Sequence, residues 1–182
     1  MAMKTLYSCL IAVFISLLAV DAQAKVYHSR QSALREAFPD ATRVEDLHLY
    51  LSTQDQEWIQ KEAGTELKEH LAHTYIGYKN DKVIGYAFID THQVRSAHET
   101  LMIVISPSAQ IAKTFVLAFH EPNEYKPHGR WLKQFTGKAL QNRLALQGDI
   151  DTISGATMTA RAVTHSTRRI LALFLRKVAT AS

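Results

Sequence analysis

The sequence is poor in the residues that punctuate or staple a chain: one cysteine, four prolines and seven glycines in 182 residues. The cysteine, Cys9, stands in a leading apolar stretch, which excludes a disulfide scaffold and a Cys-ligated metal. So little proline and glycine excludes a collagen-like or linker composition. Charge of one sign is also scarce. Against 21 Lys and Arg stand 17 Asp and Glu, a net charge of +4, and no block of like charges runs far enough to argue for nucleic acid. After the first two dozen residues no long hydrophobic run recurs, so a polytopic membrane protein is excluded. No Gly-x-Ser-x-Gly elbow, P-loop or dinucleotide fingerprint occurs, and nothing marks a nucleophile–base pair. No catalytic residue is assigned. What remains is ordinary globular composition, 47% hydrophobic and 21% charged, expected to form one domain with one core.

The beginning reads as an address. Met1–Lys4 gives a short positive start, Leu6 to Val20 is almost uninterruptedly apolar, and Ala22-x-Ala24 supplies small residues at a cleavage site. The apolar run falls short of the roughly 20 residues a membrane helix needs. The expectation is a signal peptide over residues 1–24, cleavage after Ala24, and a single periplasmic domain over residues 25–182. The alternative is retention of the segment as a membrane anchor.

Beyond it, Ser29 to Phe38 places Ala33, Leu34, Ala37 and Phe38 on one helical face before Pro39. Leu47, Leu49 and Leu51 alternate as in a strand. Thr53-x-x-Gln56 opens a second helix that closes at Gly64. Thr74 to Tyr78 and Val83 to Asp90 flank a turn at residues 79–82, and Leu101 to Ile105 and Ile111 to Phe119 flank another at residues 106–110. The polar stretch from His120 to Pro127 is a loop, and Arg130 to Phe135 a short helical turn. Met158 to about Val178 has Val163, Thr167, Ile170, Leu171, Phe174 and Val178 at helical spacing. The predicted fold is α+β: an antiparallel β-meander of at least four strands with N-terminal helices and a long C-terminal helix.

The segment before that long helix, residues 149–159, carries the chemistry. It is small, polar and glycine-bearing, and its N–H groups open a helix, the kind of place that binds anions and phosphate. Ser154, Thr157 and Thr159 add hydroxyls, and Gly155 and Ala156 allow close approach of a ligand to the backbone. Helix logic alone favours a plainer role, with Ser154 or Asp151 as an N-cap.

Asp151-x-x-Ser154-Gly155-Ala156-Thr157 resembles the flavinylation motif of the FMN-binding domain family. That family includes the C subunit of the sodium-pumping NADH:quinone oxidoreductase and the G subunit of the Rnf complex. Ala37-Phe38-Pro39, the hairpin meander, Trp131-Leu132-x-x-Phe135-x-Gly137-Lys138 and Thr159-x-x-Ala162-Val163 resemble family features in the same order, so the likeness covers nearly the whole chain after residue 24. The resemblance implies that a flavin transferase, using FAD and magnesium, joins FMN by a phosphoester to Thr157. Ser154, Gly155, Ala156, Asp151 and Thr159 would surround the cofactor, and magnesium would be needed only during the transfer. Asp151 would bond loop N–H groups or hold that magnesium. The Glu121-Pro122-Asn123-Glu124-Tyr125 loop departs from the Thr-Pro-Gly-like loop of those subunits and looks closer to small, free-standing exported members. Tyr125 stacks near the isoalloxazine or closes the end of the sheet. The implied function is an exported electron-transfer flavoprotein whose redox partners are proteins such as cytochromes or a membrane oxidoreductase. The alternatives are a non-redox exported module holding a phosphorylated or metal-bound ligand, and a flavin reductase with its own small substrate. Nine histidines invite a metal site, but His70-x-x-His73, read as one helix face, lacks an acidic partner at ligand spacing, so none is expected. Arg95 and His98 stand in the link between hairpins, and Lys126, His128, Arg130 and Lys133 form a basic cluster suited to steering acidic partners.

Overall fold

The computed structural model describes residues 25–180, so the expected signal segment and its cleavage site lie outside the described residues. Six antiparallel strands form one sheet: β1 (Lys25–Val26), β2 (Arg43–Tyr50), β3 (Leu71–Lys79), β4 (Lys82–Gln93), β5 (His98–Ile105) and β6 (Ile111–Phe119). Their spatial order is β1-β6-β5-β4-β3-β2. Between them stand α1 (Arg30–Ala37) and α2 (Thr53–Ala63), and after them a single turn, α3 (Gly129–Leu132), and the long α4 (Thr157–Phe174). Architecture and class are those expected from the sequence. The sheet gains the short β1, and β2 runs longer than the three alternating leucines indicated. One expectation fails: His73 lies in β3, with His70 just before it, so these two histidines share no helix face.

Both faces of the sheet are covered, which explains why β5 is almost continuously apolar. Leu101, Ile103 and Ile105 join the larger core beneath α2 and α4. Met102 and Val104 point the other way, into a smaller core under α1. That second core depends on Phe38, held at the end of α1 before Pro39. A Cβ at Gly77 would lie 2.6 Å from the Phe38 ring, so only glycine lets the ring rest on the sheet.

Helix α4 is fixed along its length, and this positions its first turn. At its far end a π-turn (Leu175–Ala179) brings Arg176 Nε and Lys177 Nζ to Asp55, at 2.8 and 3.0 Å. Asp55 also completes the Ser52 capping box of α2, so one carboxylate ties two helix ends together. Midway, Arg168 donates to the carbonyls of Ala63, Glu62 and Arg143.

Candidate functional site

The approach to α4 is built from the chain between β6 and the helix. Trp131 and Phe135 are buried and stack edge to face at 5.3 Å. From this platform Trp131 Nε1 donates to the Asp151 carbonyl at 2.8 Å, while the Asp151 N–H donates to Gln134 Oε1 at 2.9 Å. Asp149 orders the preceding turn by accepting from the Ala145 N–H and pairing with Lys138. The motif therefore starts from a held backbone. Gly155 then takes φ +74, with nothing within 4 Å of a would-be Cβ. Its left-handed conformation turns the chain into α4.

The start of α4 is bare. Ser29 caps α1 and Ser52 caps α2, but among the described residues no side chain caps α4. The N-cap role open to Ser154 or Asp151 is thus filled by neither. The N–H groups of the first helical turn have no intrahelical acceptor, and the positive end of the helix dipole adds to their field. The Asp151 side chain is exposed and bonds no loop N–H among the described residues.

Thr157 is the first residue of α4, and it is exposed. It lines two clefts at once. One, of about 320 Å³, is formed with Arg95, Tyr125, Gly155, Ala156, Met158 and Thr159. The other, of about 450 Å³, opens on the opposite side, where Arg143, Arg161, His165 and Arg168 face it. Five of the seven site residues singled out from sequence thus meet in the smaller cleft: Tyr125, Gly155, Ala156, Thr157 and Thr159. Ser154 and Asp151 do not line it.

Thr159, a second hydroxyl only two residues from Thr157, is 1% exposed, and its Oγ1 has no hydrogen-bond partner among the described residues. A buried hydroxyl left unbonded costs about 1–3 kcal/mol. It is therefore unsuited to covalent attachment and well suited to bonding something that enters the cleft.

Across the cleft, the Arg95 guanidinium lies 5.1 Å from the centre of the Tyr125 ring. Its loop is pinned by Glu121, whose Oε1 accepts from the N–H groups of Arg95, Ser96 and Ala97 at 2.7–3.0 Å. Burial opposes ionisation of Glu121, but those three donors outweigh it and hold the carboxyl below its ordinary value. Below the loop, at the base of the β4–β5 hairpin, His92 stands opposite Glu99. His92 Nδ1 bonds Asp90 at 2.8 Å. Asp90 in turn accepts from Arg169 Nη2 at 2.8 Å and from Ser166 Oγ at 2.7 Å. Burial pulls His92 down, yet the two carboxylates raise it to about 9. This chain of charges links the hairpin to α4. Its histidine is engaged by carboxylates, and no group of three or more His, Asp or Glu side chains is arranged to hold a metal ion among the described residues.

Sequence reasoning had no direct signal for the role of Glu121 or for the Asp90–Arg169 pair, which arise from pairings far apart in sequence. Arg161 and His165 were findable, since they follow Thr157 at one-turn intervals.

A bare helix start, an exposed hydroxyl on it and an orphaned buried hydroxyl beside it together offer unsatisfied donors to an anionic group. Residues 72–172 match the FMN-binding domain family, and the chain belongs to that family. It is 30% identical over 143 residues to the G subunit of the Na+-translocating ferredoxin:NAD+ oxidoreductase complex of Acetobacterium woodii, an alignment spanning 72% of this chain and 67% of that relative. The crystal structure of Shewanella oneidensis NqrC shares the fold, with TM-score 0.52 and 15% identity over 77% of this chain and 82% of that one.

Proposed function

We propose that this chain is an exported electron-transfer flavoprotein that carries FMN through a phosphoester on Thr157. The observation that carries this reading is the pairing of two hydroxyls with opposite environments: Thr157 exposed at the uncapped start of α4, Thr159 buried and unbonded beside it. FMN fits these residues. The first-turn N–H groups and the Thr159 hydroxyl would hold the phosphate oxygens, Gly155 leaves room for them, and Tyr125 and Arg95 would flank the rest of the cofactor. After esterification the phosphate keeps a negative charge, which the helix start favours.

A flavin transferase is the partner in maturation. The Thr157 oxygen would bond the FMN phosphorus of FAD as the phosphoanhydride bond to AMP breaks, its proton passing to solvent, and a magnesium ion would be needed only then. Asp151, whose exposed carboxylate makes no hydrogen bond among the described residues, is the group offered to that ion. Bound FMN supplies one- and two-electron chemistry, while the protein supplies position and electrostatics. Redox partner proteins, such as cytochromes or a membrane oxidoreductase, exchange the electrons. Export is supported by the sequence of residues 1–24, and a covalent cofactor suits a compartment where lost flavin is not replaced.

The test is production with and without a flavin transferase. The protein made with it should hold yellow colour through denaturation and precipitation, and Thr157→Ala should be folded and colourless. Retention of covalent flavin by Thr157→Ala would overturn the assignment.

A further inference from the structure

The cleft on the far side of Thr157 carries an inference of its own, resting on the electron-carrier reading above. Arg161, His165 and Arg168 succeed Thr157 along one side of α4, and Arg143 faces them from the preceding loop. Among the described residues, no Asp or Glu lines this cleft. Partial burial and then the guanidinium groups of Arg161, Arg169 and Arg168 hold His165 below its ordinary value, as expected where cations crowd together.

What the cleft offers inside differs from what it offers at its rim. Arg168 is committed to three backbone carbonyls. The Thr164 hydroxyl donates to the Ala160 carbonyl at 2.7 Å. The buried donors are therefore used, and a small anion would find no convergent set of them. At the rim, Arg143 and Arg161 are exposed, and neither guanidinium has a hydrogen bond or ion pair among the described residues. Long, free, exposed cations around a concavity suit a wet and transient protein contact, where charge sets encounter and orientation more than affinity.

From this we infer that the Arg143–Arg161 cleft is the docking surface for an acidic redox protein, which places that partner directly beside Thr157. It is a different surface from the basic cluster read in the sequence. There His128 is engaged as the N-cap of α3, and the Lys126 Nζ sits 3.6 Å from the centre of the Tyr27 ring.

The test titrates isotope-labelled protein with a small acidic flavodoxin at low ionic strength, following backbone amides by NMR. Shifts should concentrate on residues 143–147 and 157–168 and fade as salt rises. The double variant Arg143→Glu/Arg161→Glu should weaken binding about tenfold or more. Lys82→Glu, at the opposite end of β4 from Arg95, should leave it unchanged. Shifts centred on residues 126–133, or an affinity indifferent to the double reversal, would overturn the inference. So would succinate saturating the same amides more tightly than flavodoxin does, which would mark a small-molecule site. The titration reads out with or without bound flavin, so a chain left unmodified by an active flavin transferase refutes the Thr157 assignment and leaves the docking result standing.

Discussion

Replacing Thr159 by valine should move stability in opposite senses with and without flavin. The side chain is 1% exposed and its hydroxyl bonds nothing. Valine has nearly the same shape and a similar helix propensity, so the exchange removes an unsatisfied polar group and little else. The desolvation penalty relieved is about 1–3 kcal/mol, and imperfect packing of the new methyl leaves a gain of about 1–2 kcal/mol. For a domain of this size that raises Tm by roughly 2–8 °C. On the proposed reading the same hydroxyl would bond a phosphate oxygen in the flavin-loaded protein, and a hydrogen bond to a charged group is worth about 1.5–3 kcal/mol. There the gain should vanish or reverse. Calorimetry on protein made without and with a flavin transferase measures both cases. A Thr159→Val variant that destabilises the flavin-free protein by about 1 kcal/mol or more would show that the hydroxyl already has a partner, and the reasoning would fail.

Three further outcomes follow from the charged hairpin. Asp90→Asn should cost about 3–5 kcal/mol, because it strands the buried Arg169 guanidinium, and thermal unfolding should fall by roughly 6–20 °C. His92 is raised from 6.5 to about 9; its stabilising contribution is complete below pH 6.5 and is lost as pH rises through about 9, and its ring resonances should titrate there. Glu121→Ala should remove the shared acceptor of the Arg95, Ser96 and Ala97 N–H groups, a local loss of about 2 kcal/mol or more. Hydrogen exchange at those three amides should then accelerate while the interiors of β4 and β5 stay protected.

Much of the fold was legible because its signals are local. The apolar runs of β4 to β6, the proline after Phe38, and the helical spacing from Val163 to Val178 are each set by how a single element meets the core. What stayed hidden depends on partners distant in sequence. Nothing near Asp90 announces that Arg169 and Ser166 will reach it from α4. His70-x-x-His73 misled because a spacing of three is helical only if the backbone is, and pairing with β2 makes it a strand. At the site, the motif brought attention to Thr157, but sequence left Thr159 as an equal hydroxyl. Only the packing of the first turn of α4 separates them, one outward and one inward.

The most direct measurement is peptide mapping by tandem mass spectrometry of protein produced with a flavin transferase. A single FMN phosphoester on Thr157 is expected, with Thr152, Ser154 and Thr159 unmodified. Flavin found on any of those three, or an unmodified chain under conditions where the transferase is active on another substrate, would contradict the assignment.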